Sequence, residues 1–71
     1  MHKIEIKIES KNSKILYDAI RHEEAPRAKV YFKLEGNKLI IRIEGKRISN
    51  LRAAINSFMK WIDMIEKIDL D

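Results

Sequence analysis

An α+β fold of the order β-α-β-β-α is predicted by three features of the sequence. These are three segments that alternate apolar and charged residues, a Gly-Asn pair joining two of them, and two stretches with apolar residues at helical spacing. His2 to Glu9 sets Ile4, Ile6 and Ile8 against Lys3, Glu5 and Lys7, a period of two that marks a half-buried strand. Ser10 to Ser13 are polar and offer N-cap oxygens, and Ile15, Leu16, Ala19 and Ile20 then recur as on a short helix. That helix ends before Pro26, because the residue preceding a proline avoids helical backbone.

Ala28 to Glu35 alternates again, with Val30, Phe32 and Leu34 against Lys29, Tyr31 and Lys33. Gly36-Asn37 is a two-residue hairpin loop, since both residues tolerate positive φ. Lys38 to Glu44 is the return strand, with Leu39, Ile41 and Ile43 facing in, and Gly45 is read as its breaker. Ser49 is the expected N-cap of a second helix running to about Lys67, and the tail from Ile68 to Asp71 is expected to fray. A right-handed crossover and a hairpin together give a three-stranded antiparallel sheet of order 1-3-2. The most apolar strand is then central, and both helices lie on one face.

The second helix is more apolar than one core requires. Leu51, Ile55, Phe58, Ile62 and Ile65 form a core stripe. Ala53, Ala54, Ser57, Trp61, Met64 and Ile68 make a second shoulder, and Arg52, Asn56, Lys60, Asp63 and Lys67 hold the polar side. Such a helix packs on its own sheet and offers its shoulder to a partner; the alternative is that Trp61 covers the sheet edge.

The 71 residues make one domain, 1–71, with a small core and a narrow stability margin. There is no Cys, and neither His2 nor His22 sits in a ligand motif, so oligomerisation is the remaining support and a homodimer is expected. The outer strands, His2 to Glu9 and Ala28 to Glu35, could pair in such a dimer, although their outward Lys residues also guard against aggregation. Hydrophobic residues at 45% and charged residues at 37% fit a soluble globular chain. The longest apolar run, Leu39-Ile-Ile41, cannot span a membrane, and no signal-peptide core is present, so a cytoplasmic location is expected.

The net charge of +4 suits an acidic partner. The outward sheet positions are Lys3, Glu5, Lys7, Lys29, Tyr31, Lys33, Lys38, Ile40, Arg42 and Glu44, a predominantly basic face. It fits a phosphate footprint through Lys29, Lys33 and Arg42. It fits equally a solvated face with cross-strand Lys–Glu pairs, and it lacks the paired aromatics of an RNA-stacking sheet. Lys46, Arg47 and Arg52 cluster at the start of the second helix, where free N–H groups favour anions and Gly45 allows close approach; an ordinary turn explains them as well. Gly-Lys-Arg lacks the spacing of a Walker loop. No Ser or Cys is matched with a positioned His, and adjacent Glu23 and Glu24 point apart on a helix. Neither an enzyme nor a bound cofactor or metal is expected.

Leu51-Arg52-Ala53-Ala54-Ile55-Asn56-Ser57-Phe58 resembles the helix signature Leu-Arg-x-x-x-Asn-Ser of the small dimeric subunit of the KEOPS complex, the family that includes the cancer/testis antigen-like proteins. Ile15 to Ile20 resembles that family's first helix, and Val30 to Glu44 its hairpin. The chain departs from the pattern at Lys46-Arg47, where an acidic residue is common, and at His22-Glu23-Glu24, where many members have Pro-Asp. The resemblance implies the fold already read, a homodimer, and a non-catalytic subunit docked on the catalytic threonylcarbamoyl transferase. Through that subunit it would reach the kinase-like subunit of a complex that modifies adenosine beside the anticodon of tRNA. Ala54, Ser57, Trp61 and Met64 are then the expected docking residues, and Trp61→Ala and Ala54→Glu are expected to weaken docking without unfolding the chain. Lys46, Arg47, Arg52, Lys29, Lys33 and Arg42 are the expected tRNA contacts. An autonomous KH-like RNA-binding module is the alternative, although the chain has no GXXG clamp.

Overall fold

The structure, a computed structural model, describes the backbone of residues 1–69 and the side chains of residues 1–66. The elements are β1 (His2–Glu9), α1 (Ser13–Ile20), β2 (Ala28–Glu35), β3 (Lys38–Gly45) and α2 (Ile48–Asp69). The strands form one antiparallel sheet in the order β1-β3-β2. The fold class and strand order are those read from the alternation and the hairpin.

Alternation sets the two faces of the sheet. Ile4, Ile6 and Ile8 of β1 and Val30, Phe32 and Leu34 of β2 are half-buried, because each belongs to an outer strand. Leu39, Ile41 and Ile43 of the central β3 are fully buried. Leu16 and Ile20 of α1 and Leu51, Ala54, Phe58 and Ile62 of α2 close the core over them. Phe32 and Phe58 meet edge to face, centroids 5.5 Å apart and planes at 82°, the geometry that suits the ring quadrupoles.

Gly45 does not break β3. It is the last paired residue, opposite both His2 and Ala28. A Cβ there would fall 2.6 Å from Leu51 Cδ1, so the missing side chain makes room for α2 and not for a phosphate. The start of α2 also differs from the expected N-cap at Ser49. The helix begins at Ile48, and the Arg47 carbonyl accepts from the Asn50 and Leu51 amides at 3.1 and 3.4 Å. Arg47 therefore stands at the N-cap position, and Ser49 lies inside the first turn. At its other end the backbone of α2 continues to Asp69, past the expected end near Lys67; Leu70 and Asp71 of the tail lie outside the described residues.

The N-cap of α1 is Asn12, within the expected Ser10–Ser13 segment, but its side chain makes no capping bond. Instead the Asn12 amide donates to Ser10 Oγ at 3.0 Å, and buried Ser13 donates through Oγ to the Gly36 carbonyl at 3.4 Å, tying α1 to the hairpin. In the hairpin only Gly36 uses positive φ, +58°. Positive φ confined to the first loop residue is the type II′ pattern. Arg27 also has φ of 58°, following Pro26 in a tight turn closed by a bridge between Ala25 and Ala28.

Candidate functional site

α2 presents the first candidate surface. Ala53, Ser57, Trp61 and Met64 stand three or four residues apart and are all exposed, so they form a continuous stripe along the helix. Trp61 is 47% exposed and Met64 52%, and neither belongs to the core cluster. Large apolar side chains left half in water beside small ones make a surface able to receive another helix closely. The side chains of Ile68 and Lys67, assigned to the shoulder and the polar side, lie outside the described residues.

Ala54 does not belong to this stripe. It is 4% exposed and is part of the core. The helical turn places it between Leu51 and Phe58 on the buried side, whereas Ile55 is only half-buried. The core stripe is thus Leu51, Ala54, Phe58 and Ile62, with Ile55, Met59 and Ile65 packed at its flanks. A small residue can lie on either side of such a helix, and its burial is set by how closely the sheet approaches. Ala54→Glu therefore places a carboxylate in the core, which corrects the expectation that it spares the fold. Ala53 and Ser57, with the buried Ala54 and Phe58 at its floor, line a groove of about 250 Å³ between α2 and the Glu24–Pro26 connection.

The second candidate is basic. The expected nucleic-acid residues do not form one patch. Lys29 and Lys46 come together around a depression of about 460 Å³ at the end of the sheet, with Met1, Arg27, Ala28, Glu44 and Gly45. Arg27 is a further cation, outside the set expected from the sequence. Its only sequence signal is its place after Pro26, where a turn favours glycine and an arginine draws no notice. Arg47 and Arg52 are exposed at the start of α2.

Lys33 and Arg42 lie on the open sheet face, where register decides the charge. Lys3, Glu44 and Lys29 form one row; Glu5, Arg42 and Tyr31 the next; Lys7, Ile40 and Lys33 the third; Glu9, Lys38 and Glu35 the last. Opposite signs meet in three of the four rows. Glu9 and Glu35, omitted from the expected face, offset its cations further. Lys33 Nζ lies 2.8 Å from Glu35 Oε1, and this hydrogen bond, with the charge of Lys33, holds the exposed Glu35 carboxyl below the usual carboxylate range. The pair contributes while Glu35 is ionised and is lost as pH falls through its lowered pKa. Ile40 is 8% exposed although it points to this open face, beside Lys7 and Lys33. Aliphatic lysine stems are suited to cover such a residue. The face is mainly a solvated charge lattice, and the excess of cations is clearest at the Arg27–Lys29–Lys46 corner.

Among the described residues, no group of three or more His, Cys, Asp or Glu is placed to hold a metal, and no helix is long and apolar enough to cross a membrane.

Comparison with known proteins accounts for nearly the whole chain. The family model described as transcription factor Pcc1 matches residues 1–68. The sequence is also similar to the KEOPS complex subunit Pcc1 of Pyrococcus abyssi (strain GE5 / Orsay). The two are 30% identical over 63 residues, which covers 83% of this chain and 72% of the relative. The family match takes in all three strands, α1 and all but the last residue of α2, and the chain belongs to the Pcc1 family.

Proposed function

We propose that this protein is a non-catalytic scaffold subunit of a KEOPS complex, the assembly that forms threonylcarbamoyl-adenosine beside the anticodon of tRNA. The observation that carries this reading is the exposed Ala53–Ser57–Trp61–Met64 stripe of α2 in a chain of the Pcc1 family. The name of the Pyrococcus abyssi relative supports membership of such a complex. In this reading the chain is a cytoplasmic homodimer. It docks on the catalytic transferase subunit through the α2 stripe, reaches the kinase-like subunit through it, and adds cations to a tRNA surface at the Arg27–Lys29–Lys46 corner.

The chemistry on view supports a binding role. Among the described residues, the ionisable groups are exposed or half-buried, and none is paired with a nucleophile in an enclosed cleft. Co-purification from the native source, followed by mass spectrometry, tests the reading. Recovery of the transferase and kinase-like subunits is expected, and recovery of neither contradicts it. A gel shift of the isolated protein separates scaffold from autonomous RNA binder. The scaffold binds tRNA weakly until the other subunits join. A free-standing module holds it alone, with a steep loss of affinity as salt rises.

A further inference from the structure

We infer that the Arg27–Lys29–Lys46 corner seats one unstacked nucleotide of single-stranded RNA, with its base in the depression and its phosphates on the rim. This deepens the tRNA contact of the proposed function and rests on it. Register builds the corner. His2, Gly45 and Ala28 form the end row of the sheet, opposite the hairpin. Met1 precedes His2, Lys46 follows Gly45 and Arg27 precedes Ala28, so three segments of chain leave the sheet at the same end. The first outward row inside that end is Lys3, Glu44 and Lys29. Met1, Arg27 and Lys46 from beyond the sheet, with Ala28, Gly45, Glu44 and Lys29 from its end, enclose the depression of about 460 Å³.

The lining has two kinds of chemistry. Arg27, Lys29 and Lys46 are exposed cations. Among the described residues the one ion pair joins Lys33 to Glu35, so none of the three is paired with a carboxylate there. Glu44 is the single acid of the lining, and register sets it between Lys3 and Lys29, which offset it. Cations gathered around a concave surface without partners raise a positive potential that draws anions. Met1, 76% exposed, and half-buried Ala28 supply apolar surface, and the stems of the lysines extend it. Arg27 is also held at φ of 58°, where glycine would be unstrained; the fold keeps a cation at this rim against its backbone preference.

This pairing of chemistries selects the ligand. Inorganic phosphate or a duplex backbone would use the cations and leave the apolar lining wet. A nucleotide uses both, because its base has two apolar faces and is tied to phosphates a short distance away. In an RNA helix the bases are stacked and out of reach, whereas in loops and single strands they can be splayed out and bound. No aromatic ring lines the depression. The guanidinium plane of Arg27 and the thioether of Met1 are the groups suited to pack on the base. One base and its flanking phosphates make a weak contact, in keeping with a subunit that holds tRNA firmly only beside its partners.

Amide chemical shifts of the isotope-labelled full chain, titrated with a short single-stranded RNA of mixed sequence, test the seat. The amides of Ala28, Glu44, Gly45 and Lys46 are expected to shift together, and a duplex of the same sequence is expected to bind more weakly. Arg27→Gly and Lys46→Ala each remove one rim cation, and each is expected to weaken the single strand about fivefold or more. Lys14→Ala removes the same charge from the exposed side of α1 and is expected to change binding by less than about twofold. Thermal melts in parallel verify that the variants are folded. Equal losses in all three variants would mean diffuse charge attraction and would overturn the seat. So would equal binding of the duplex, or equal shifts of the same amides by a glutamate-rich peptide. Shifts confined to the open face around Lys7, Lys33 and Arg42 overturn the seat but leave the tRNA reading standing. An absence of any shift overturns it as well, and retention of tRNA by the assembled complex then distinguishes that failure from failure of the tRNA reading itself.

Discussion

Arg27 and Gly45 occupy each other's natural chemistry. Arg27 holds positive φ, where glycine is at ease, and its carbonyl lies 3.4 Å from the place a Cβ would take on Gly45. Arg27→Gly removes the clash of a side chain with left-handed backbone, and a gain of about 1 kcal/mol in stability is expected in denaturant unfolding. Gly45→Ala drives a methyl group into Leu51 Cδ1, 2.6 Å away, and should cost about 1–3 kcal/mol in the same measurement. Neither strain was legible in the sequence. The word Pro-Arg gives no sign that its arginine is left-handed, and a glycine after a strand reads as a breaker until the helix that crosses it is placed. Ala54 teaches the same lesson. Its helical position leaves its side ambiguous, because an alanine is small enough for a core or for an exposed shoulder.

At the scale of elements, the reading succeeded where period alone decides. Three alternating segments and one Gly-Asn pair are enough to give the sheet order, since a hairpin dictates antiparallel neighbours and the most apolar strand goes to the centre. It was less accurate where packing competes with local preference. Ser49 is the better capping residue, yet α2 begins at Ile48, ahead of it. Paired substitutions on α2 test the corrected division of its faces. Ala54→Glu buries an unpaired carboxylate and should lose roughly 3 kcal/mol or more. Ala53→Glu, one residue earlier but exposed, should unfold within about 0.5 kcal/mol of the wild type. Circular dichroism melts distinguish the two. Equal stability of the variants would return Ala54 to the surface.

Over the whole molecule, the core takes one side of the sheet and leaves the other to alternating charge. The outward residues legible from the alternation included Glu5 and Glu44 but not Glu9 and Glu35, which close the last row of the sheet. Register is a tertiary fact, and it sets Glu44, Glu5, Glu9 and Glu35 beside the cations, leaving like charges together in the Lys7–Ile40–Lys33 row and at the Arg27–Lys29–Lys46 corner. The exposed α2 stripe is a surface the fold leaves unused, since Trp61 and Met64 lie outside the core cluster. That stripe is the proposed docking face. The direct measurement is a pull-down of the catalytic transferase subunit by the wild type, Trp61→Ala and Ala53→Glu, with each melting temperature recorded alongside. The wild type is expected to retain the transferase and both variants to lose most of it, at melting temperatures close to the wild type's. Retention by both variants at wild-type strength would contradict it.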